Sequence, residues 1–256
     1  MILHYLGVLC TGILVGFLGG MFGKGGSAIA TPILSLLGVP GFVAVAAPLP
    51  ATVPGTFIAS VEYWRFDLLD WRIIGWSVMV GVPATIIGSL LTQFTGATPL
   101  LIVTGLMVLG FGLSFLVAPK EAAGQSAVAA SASEDLPSRW RLRLVLVAAG
   151  VGLISGLLAN SGGFLLAPSF AWILGQPIKK AFACSLAASM VLALPGTIVH
   201  AYLGHIDWTV TAALAVGSVP FSYLGAKVAI KTRPRTLERL YGLALTGLGA
   251  YFLLTL

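Results

Sequence analysis

The sequence predicts an all-α, polytopic helical membrane protein built from two inverted repeats of five membrane segments, each with one short, glycine-interrupted segment. Three observations carry this prediction: charge is scarce, it is absent from long stretches, and the chain repeats itself. Only 9% of the 256 residues are charged and 58% are hydrophobic, with a mean hydropathy of +1.02. A soluble chain carries about 25% charged residues, because its surface must face water. Residues 25–61, 73–119, 144–178, 208–226 and 240–256 contain no Asp, Glu, Lys or Arg. A helix needs roughly 20 apolar residues to cross a ~30 Å hydrocarbon core, so several stretches allow one crossing and 73–119 allows two. Lipid offers the backbone no hydrogen bonds, and these runs lack the alternation of barrel strands, so they read as helices.

Taken in order, the apolar pieces of the first half fall near 2–22, 27–38, 42–61, 73–93 and 99–118. Those of the second fall near 144–159, 164–175, 181–201, 208–226 and 240–256. The start of the chain lacks a basic region, so 1–22 reads as a retained membrane segment and not a cleaved signal. The second piece of each half is too short to span, since 12 residues rise only about 18 Å. Each follows a glycine-rich break, Gly23-Lys-Gly-Gly-Ser27 or Asn160-Ser-Gly-Gly163, and contains or meets a proline. Residues 120–138, rich in Ala and Ser, read as a flexible cytoplasmic linker between a first membrane repeat (1–119) and a second (139–256).

An offset of about 136 residues relates the halves. Gly16-Phe-Leu-Gly-Gly20 falls on Gly152-Leu-Ile-Ser-Gly156, Gly26 on Gly162, and Pro32 on Pro168. Pro54-Gly55-Thr56 resembles Pro195-Gly196-Thr197, Asp70-Trp71 resembles Asp207-Trp208, and Gly81-Val-Pro83 resembles Gly217-Ser-Val-Pro220. The common order of these matches indicates duplication. If each short piece pairs with its predecessor as a hairpin, all 14 Lys and Arg lie toward one face and Asp207 is the only formal charge on the other. That satisfies the positive-inside bias and gives an odd number of segments per half, hence inverted repeats with both termini outside. The same bias accounts for the net charge of +6 without a nucleic-acid partner. Inverted repeats with paired, interrupted segments are how many secondary carriers hold substrate near the bilayer midplane.

The pattern Gly16-Phe-Leu-Gly-Gly-Met-Phe-Gly-Lys-Gly-Gly-Ser-Ala-Ile-Ala-Thr-Pro32, the Ala-rich segment with Pro-Gly-Thr, the Asp-Trp loop and the second copy from Gly152 to Pro168 resemble the sulfite exporter TauE/SafE family. The resemblance covers nearly the whole chain apart from 120–138. It implies a multi-pass transporter of the bacterial inner membrane that carries a small anion such as sulfite, a sulfonate or thiosulfate. Family members commonly have a small or apolar residue where this chain has Lys24.

A desolvated anion needs replacement hydrogen bonds, and a helix N-terminus offers unpaired amides with a partial positive charge. Glycine allows the close approach. The expected substrate site therefore comprises Lys24, Gly25, Gly26, Ser27 and Thr31 from one break, with Asn160, Ser161, Gly162 and Gly163 from the other. Glycines that merely permit close helix packing are the plainer alternative, as is a Lys24 that snorkels to the interface. Pro54, Thr56, Pro195 and Thr197 are candidates for shaping the cavity or hinging it. His200 is a candidate for proton coupling, with His205 and Asp207 following it. Cys10 and Cys184 lie alone in apolar runs without metal-ligand spacing, so no metal or other cofactor is expected. The chain lacks HExxH, GxSxG and a pair of membrane aspartates, so an enzyme is not expected. A passive small-anion channel stays open as the alternative to a carrier, and a homo-oligomer is left open too.

Overall fold

The computed structural model describes residues 2–23, 27–95, 97–117 and 138–255. Among them are eleven α-helices, one 3-10 turn and no strand. In chain order the helices are α1 (Ile2–Phe22), α2 (Ser27–Leu36), α3 (Gly41–Ala46), α4 (Pro48–Trp64), α5 (Trp71–Leu91), α6 (Ala97–Val117), α7 (Ser138–Leu157), α8 (Gly163–Trp172), α9 (Ile178–Tyr202), α10 (Trp208–Lys231) and α11 (Pro234–Thr255). Six stretches among the described residues are long and apolar enough to cross a membrane: Tyr5–Phe22, Gly41–Trp64, Trp71–Phe94, Arg139–Leu157, Ile178–Tyr202 and Trp208–Lys231. The chain is an all-helical, multi-pass membrane protein.

Several boundaries differ from the sequence reading. The segment expected at 42–61 is two helices, α3 and α4, because Pro48 begins a new helix after Ala47; proline supplies no amide to continue the first. Its second-half counterpart, α9, is continuous over 25 residues. α7 begins at Ser138, six residues before the expected 144, so Arg139, Arg141 and Arg143 lie in its first turns and not in a loop. Lys179 and Lys180 likewise sit in α9, Lys227 and Lys231 in α10, and Arg235 and Arg239 in α11. Basic residues are good helix formers whose long stems let the charge leave the apolar layer. Ser138 thus belongs to a helix, and the remainder of the proposed linker, apart from that residue, lies outside the described residues.

Small residues set the packing. α1 crosses α10, and α5 crosses α7, at close range. A Cβ on Gly20 would strike the Ser222 backbone of α10, and one on Gly156 would strike Thr85 of α5. Backbone contact of this kind is how helices associate where lipid removes the hydrophobic drive between them. α4 packs on α9 and α10, α9 on α5 and α8, and α6 on α11. Each Asp-Trp pair begins a helix. Asp70 Oδ1 accepts from the Arg72 and Ile73 amides at 3.0 and 3.3 Å, and Asp207 Oδ1 from the Thr209 and Val210 amides at 2.8 and 3.2 Å. The tryptophans that follow, Trp71 and Trp208, are exposed, as interfacial aromatics are.

The largest core surrounds α8 and α9, whose Phe164, Phe170 and Phe182 are fully buried. Rings from four helices meet there. Tyr241 of α11 lies 5.1 Å from Phe22, 4.7 Å from Phe115 and 5.2 Å from Phe182, centroid to centroid. This aromatic cluster anchors the end of α1 and so fixes where its glycine-rich break is presented.

Candidate functional site

Both breaks are brought to one point. Ser27, the first residue of α2, donates its Oγ hydrogen to Asn160 Oδ1 at 2.6 Å. Its oxygen lies 3.1 Å from Ser161 Oγ and accepts from the Ser161 amide at 3.2 Å. All three residues are buried. Residues 133 and 134 positions apart therefore share one hydrogen-bonded knot at the start of α2 and just before α8.

The chain turns sharply to make this knot. Ala159 has a φ of 46°, and Gly162, the N-cap of α8, has a φ of 78°. Glycine takes that left-handed conformation without cost. It is also confined, since a Cβ there would lie 2.8 Å from Ser155 Oγ. Gly162 has no side chain with which to cap α8; the Leu165 and Leu166 amides donate to Gly162 O at 3.0 and 2.9 Å, and the Gly163 and Phe164 amides head the positive end of the helix dipole. The Ser155 hydroxyl beside this N-terminus is fully buried and has no hydrogen-bond partner. Ser155 stands in the repeated Gly152-Leu-Ile-Ser-Gly156 pattern, yet nothing in sequence distinguishes a hydroxyl aimed at a helix terminus from one bonded inside its own helix.

The carbonyl ends of the preceding helices are closed by other elements. Tyr63 of α4 donates to Gly20 O at 3.1 Å and to Met21 O at 3.3 Å. Thr92 donates to Leu157 O at 3.0 Å, and Ser185 of α9 to Gly23 O at 2.6 Å. The breaks are thus fixed by hydrogen bonds on the carbonyl side, while the N-cap of α8 is a glycine that offers no capping side chain.

The remaining sequence candidates divide. Lys24, Gly25 and Gly26 lie outside the described residues. Gly163 is buried as the first residue of α8. Thr31 is buried and donates to Ser27 O at 3.1 Å, within its own helix. Thr56 similarly donates to Thr52 O at 2.9 Å, and it lines a narrow crevice among α1, α4 and α10 with Gly16, Gly20 and Ser222. Pro54 is exposed on the outside of α4, and Pro195 is half-buried in α9. The Thr197 hydroxyl is buried without a partner. His200 is 1% exposed, and its Nδ1 lies 3.1 Å from Nδ1 of His205. The His205 ring stacks on Phe42 of α3 at 4.5 Å. Burial holds the His205 imidazole below its ordinary pKa. Asp207, grouped with these histidines in the sequence reading, instead caps α10. No cluster of three or more His, Cys, Asp or Glu suited to a metal occurs among the described residues.

The knot joins the two glycine-rich, donor-rich breaks inside a multi-pass bundle, and comparison with known proteins points the same way. The model of the family described as "Sulfite exporter TauE/SafE" matches residues 8–252. The chain belongs to the TauE/SafE family. Among its relatives, a "probable membrane transporter protein" of Xylella fastidiosa (strain 9a5c) is 26% identical over 245 residues, covering 94% of this chain and 92% of that protein. The Bacillus subtilis (strain 168) "probable membrane transporter protein YjnA" is 24% identical, covering 90% and 92%. The Escherichia coli (strain K12) "probable membrane transporter protein YfcA" is 25% identical, covering 87% and 78%. No solved structure matches the chain significantly. The TauE/SafE match spans both glycine-rich breaks and the Ser27–Asn160 contact between them.

Proposed function

We propose that this TauE/SafE protein is a secondary transporter of the bacterial inner membrane that moves a small, sulfur-containing anion of the sulfite, sulfonate or thiosulfate kind. The observation that carries the reading is the Ser27–Asn160–Ser161 knot beside the uncapped N-terminus of α8. An anion replacing its water needs hydroxyls, amides and a positive dipole end, which the knot and the terminus supply together. α2 and α8 have 10 residues each and rise about 15 Å, half of a ~30 Å core. Helices of that length entering from opposite faces would meet near the midplane, where carriers bind substrate.

Five segments per repeat in inverted order remain our reading of the architecture. Its support is that the packing pairs exchange with the halves: α1 on α10 corresponds to α7 on α5, α4 on α10 to α9 on α5, and α6 on α11 to itself. Gly20 and Gly156, aligned by the offset of 136, serve equivalent crossings. In the same reading Lys24 draws the anion toward the knot, Gly25, Gly26 and Gly163 let it approach the backbone, and Pro54, Thr56, Pro195 and Thr197 shape the helices that bear on α1 and α5. His200, paired with His205, is the group through which a proton would be coupled.

Purified protein in proteoliposomes tests the function. Saturable uptake of sulfite, thiosulfate or a sulfonate is expected, with loss in Asn160→Ala and reduced low-concentration uptake in Lys24→Met. Flux that rises linearly with substrate and ignores the proton gradient would instead establish a passive anion channel. Absence of any anion flux, with only cations or neutral solutes moved, sinks the reading.

A further inference from the structure

An apolar groove lies apart from the knot, along the face of α7. It runs between α6, α7 and α8, has a volume of about 440 Å³, and is walled by apolar side chains including Met107, Phe111, Ile154 and Leu165. Its one charged wall residue is Arg143. The floor is Gly150, beside which a Cβ would meet nothing within 4 Å. Arg143, Gly150 and Ile154 follow helical spacing along one face of α7, and Arg139 continues that face one turn earlier. From Arg143 to Ile154 the groove extends about 16 Å, close to half of a ~30 Å hydrocarbon core. No described residue forms a hydrogen bond or ion pair with the Arg143 guanidinium.

The duplication makes the groove a departure and not a by-product of the fold. With the offset of 136, Arg143 corresponds to Gly7, Gly150 to Leu14 and Ile173 to Leu37. In the first half Leu37 lies against Gly7, 3.2 Å from where its Cβ would be, and position 14 carries a full side chain. Where the first half has a Leu37–Gly7 contact and a leucine at position 14, the second half has Arg143 and Gly150 lining a leaflet-long, mainly apolar slot.

The geometry points to a bound anionic phospholipid: one acyl chain lies in the α6–α7–α8 groove along Gly150, and its phosphate pairs with Arg143. Arginine suits this role because its planar fork matches phosphate oxygens, and basic sites between membrane helices recognise lipid headgroups. Beyond Arg143 and Ser169 the wall is apolar and offers a free anion nothing in exchange for its water, whereas it suits an acyl chain. Because α8 forms one wall, the lipid would brace the helix whose N-terminus presents Gly162.

The test uses delipidated wild-type protein, Arg143→Gln and Gly150→Leu in detergent. Phosphatidylglycerol, phosphatidylcholine with the same chains, and glycerol 1-phosphate are added separately, with thermal midpoint and lipid retention in native mass spectrometry as readouts. Phosphatidylglycerol should stabilise the wild type by a few degrees more than phosphatidylcholine, while glycerol 1-phosphate does nothing. Arg143→Gln, at an exposed position, should erase that difference and lower phosphatidylglycerol retention about fivefold, the effect of one arginine at an anionic surface. Gly150→Leu should lower retention of both lipids. Equal effects of the two lipids on the wild type overturn the proposal. So does an undiminished preference in Arg143→Gln, and so does full stabilisation by glycerol 1-phosphate, which marks a free-anion site. None of these outcomes depends on transport, so the two proposals fail separately.

Discussion

Ser27 uses one hydroxyl to join the two breaks, giving its proton to Asn160 while its oxygen receives the Ser161 amide. Removing one partner of a buried hydrogen bond leaves the other unsatisfied and costs about 1–3 kcal/mol. Asn160→Ala should therefore lower both the thermal midpoint in detergent and the rate of anion uptake. Ser155→Ala should behave differently. Its hydroxyl is buried without a partner, so deletion leaves the midpoint unchanged or slightly raised, while uptake at low substrate falls. Equal losses of stability in the two variants would count against Ser155 as a ligand. Just past the C-terminal end of α9, His205 has its pKa lowered by burial, so the folded protein favours the neutral ring. The unfolded chain then binds more protons below the ordinary imidazole pKa of about 6.5, and stability should fall as pH drops through and below that value. His205→Gln should flatten this slope in thermal melts recorded between pH 7 and pH 5.

Single elements owe their positions to caps and close crossings more than to helix propensity. Asp70 and Asp207 perform the same task in corresponding loops, each accepting two amides at the start of a long helix. Replacing an N-cap aspartate by alanine costs about 1 kcal/mol. Asp207→Ala should therefore speed amide exchange in the first turn of α10 while leaving α5 unaffected, as hydrogen–deuterium exchange can resolve. The repeated Asp-Trp pair was legible in the sequence; its work as a cap required the geometry. The division of α3 from α4 at Pro48 shows the reverse case, because proline marks a break in any sequence, yet Pro54 and Pro83 are carried inside continuous helices. Whether proline ends a helix depends on which neighbours satisfy the carbonyl it leaves without an amide partner one turn earlier.

Across the whole molecule, the basic residues and the exchange of packing pairs describe one arrangement. The basic ends of α7, α9, α10 and α11 should share a face opposite the loop holding His205 and Asp207. Cysteines introduced by Thr236→Cys and Thr209→Cys, both at exposed positions, should react with an impermeant thiol reagent from opposite sides of the membrane, the first from the cytoplasm. Labelling of both from one side would remove the inverted arrangement.

The sequence by itself determined that this chain lives in a membrane and that it is helical, and its ordered motif matches pointed to a duplication. Each of those follows from composition and spacing, which the bilayer reads without regard to partners. It also singled out Ser27, Asn160, Ser161 and Gly162, because two glycine-rich breaks in corresponding places were visible as text. Only the tertiary structure decided that these breaks touch, that Ser155 stands unpartnered beside Gly162, that His200 meets His205, and that Gly150 opens a slot instead of sealing a seam. The physical reason is one of range. Apolar length and repeated motifs are read along the chain, whereas a hydroxyl's partner or a glycine's empty side is set by how helices pack, across 133 positions in the case of Ser27 and Asn160.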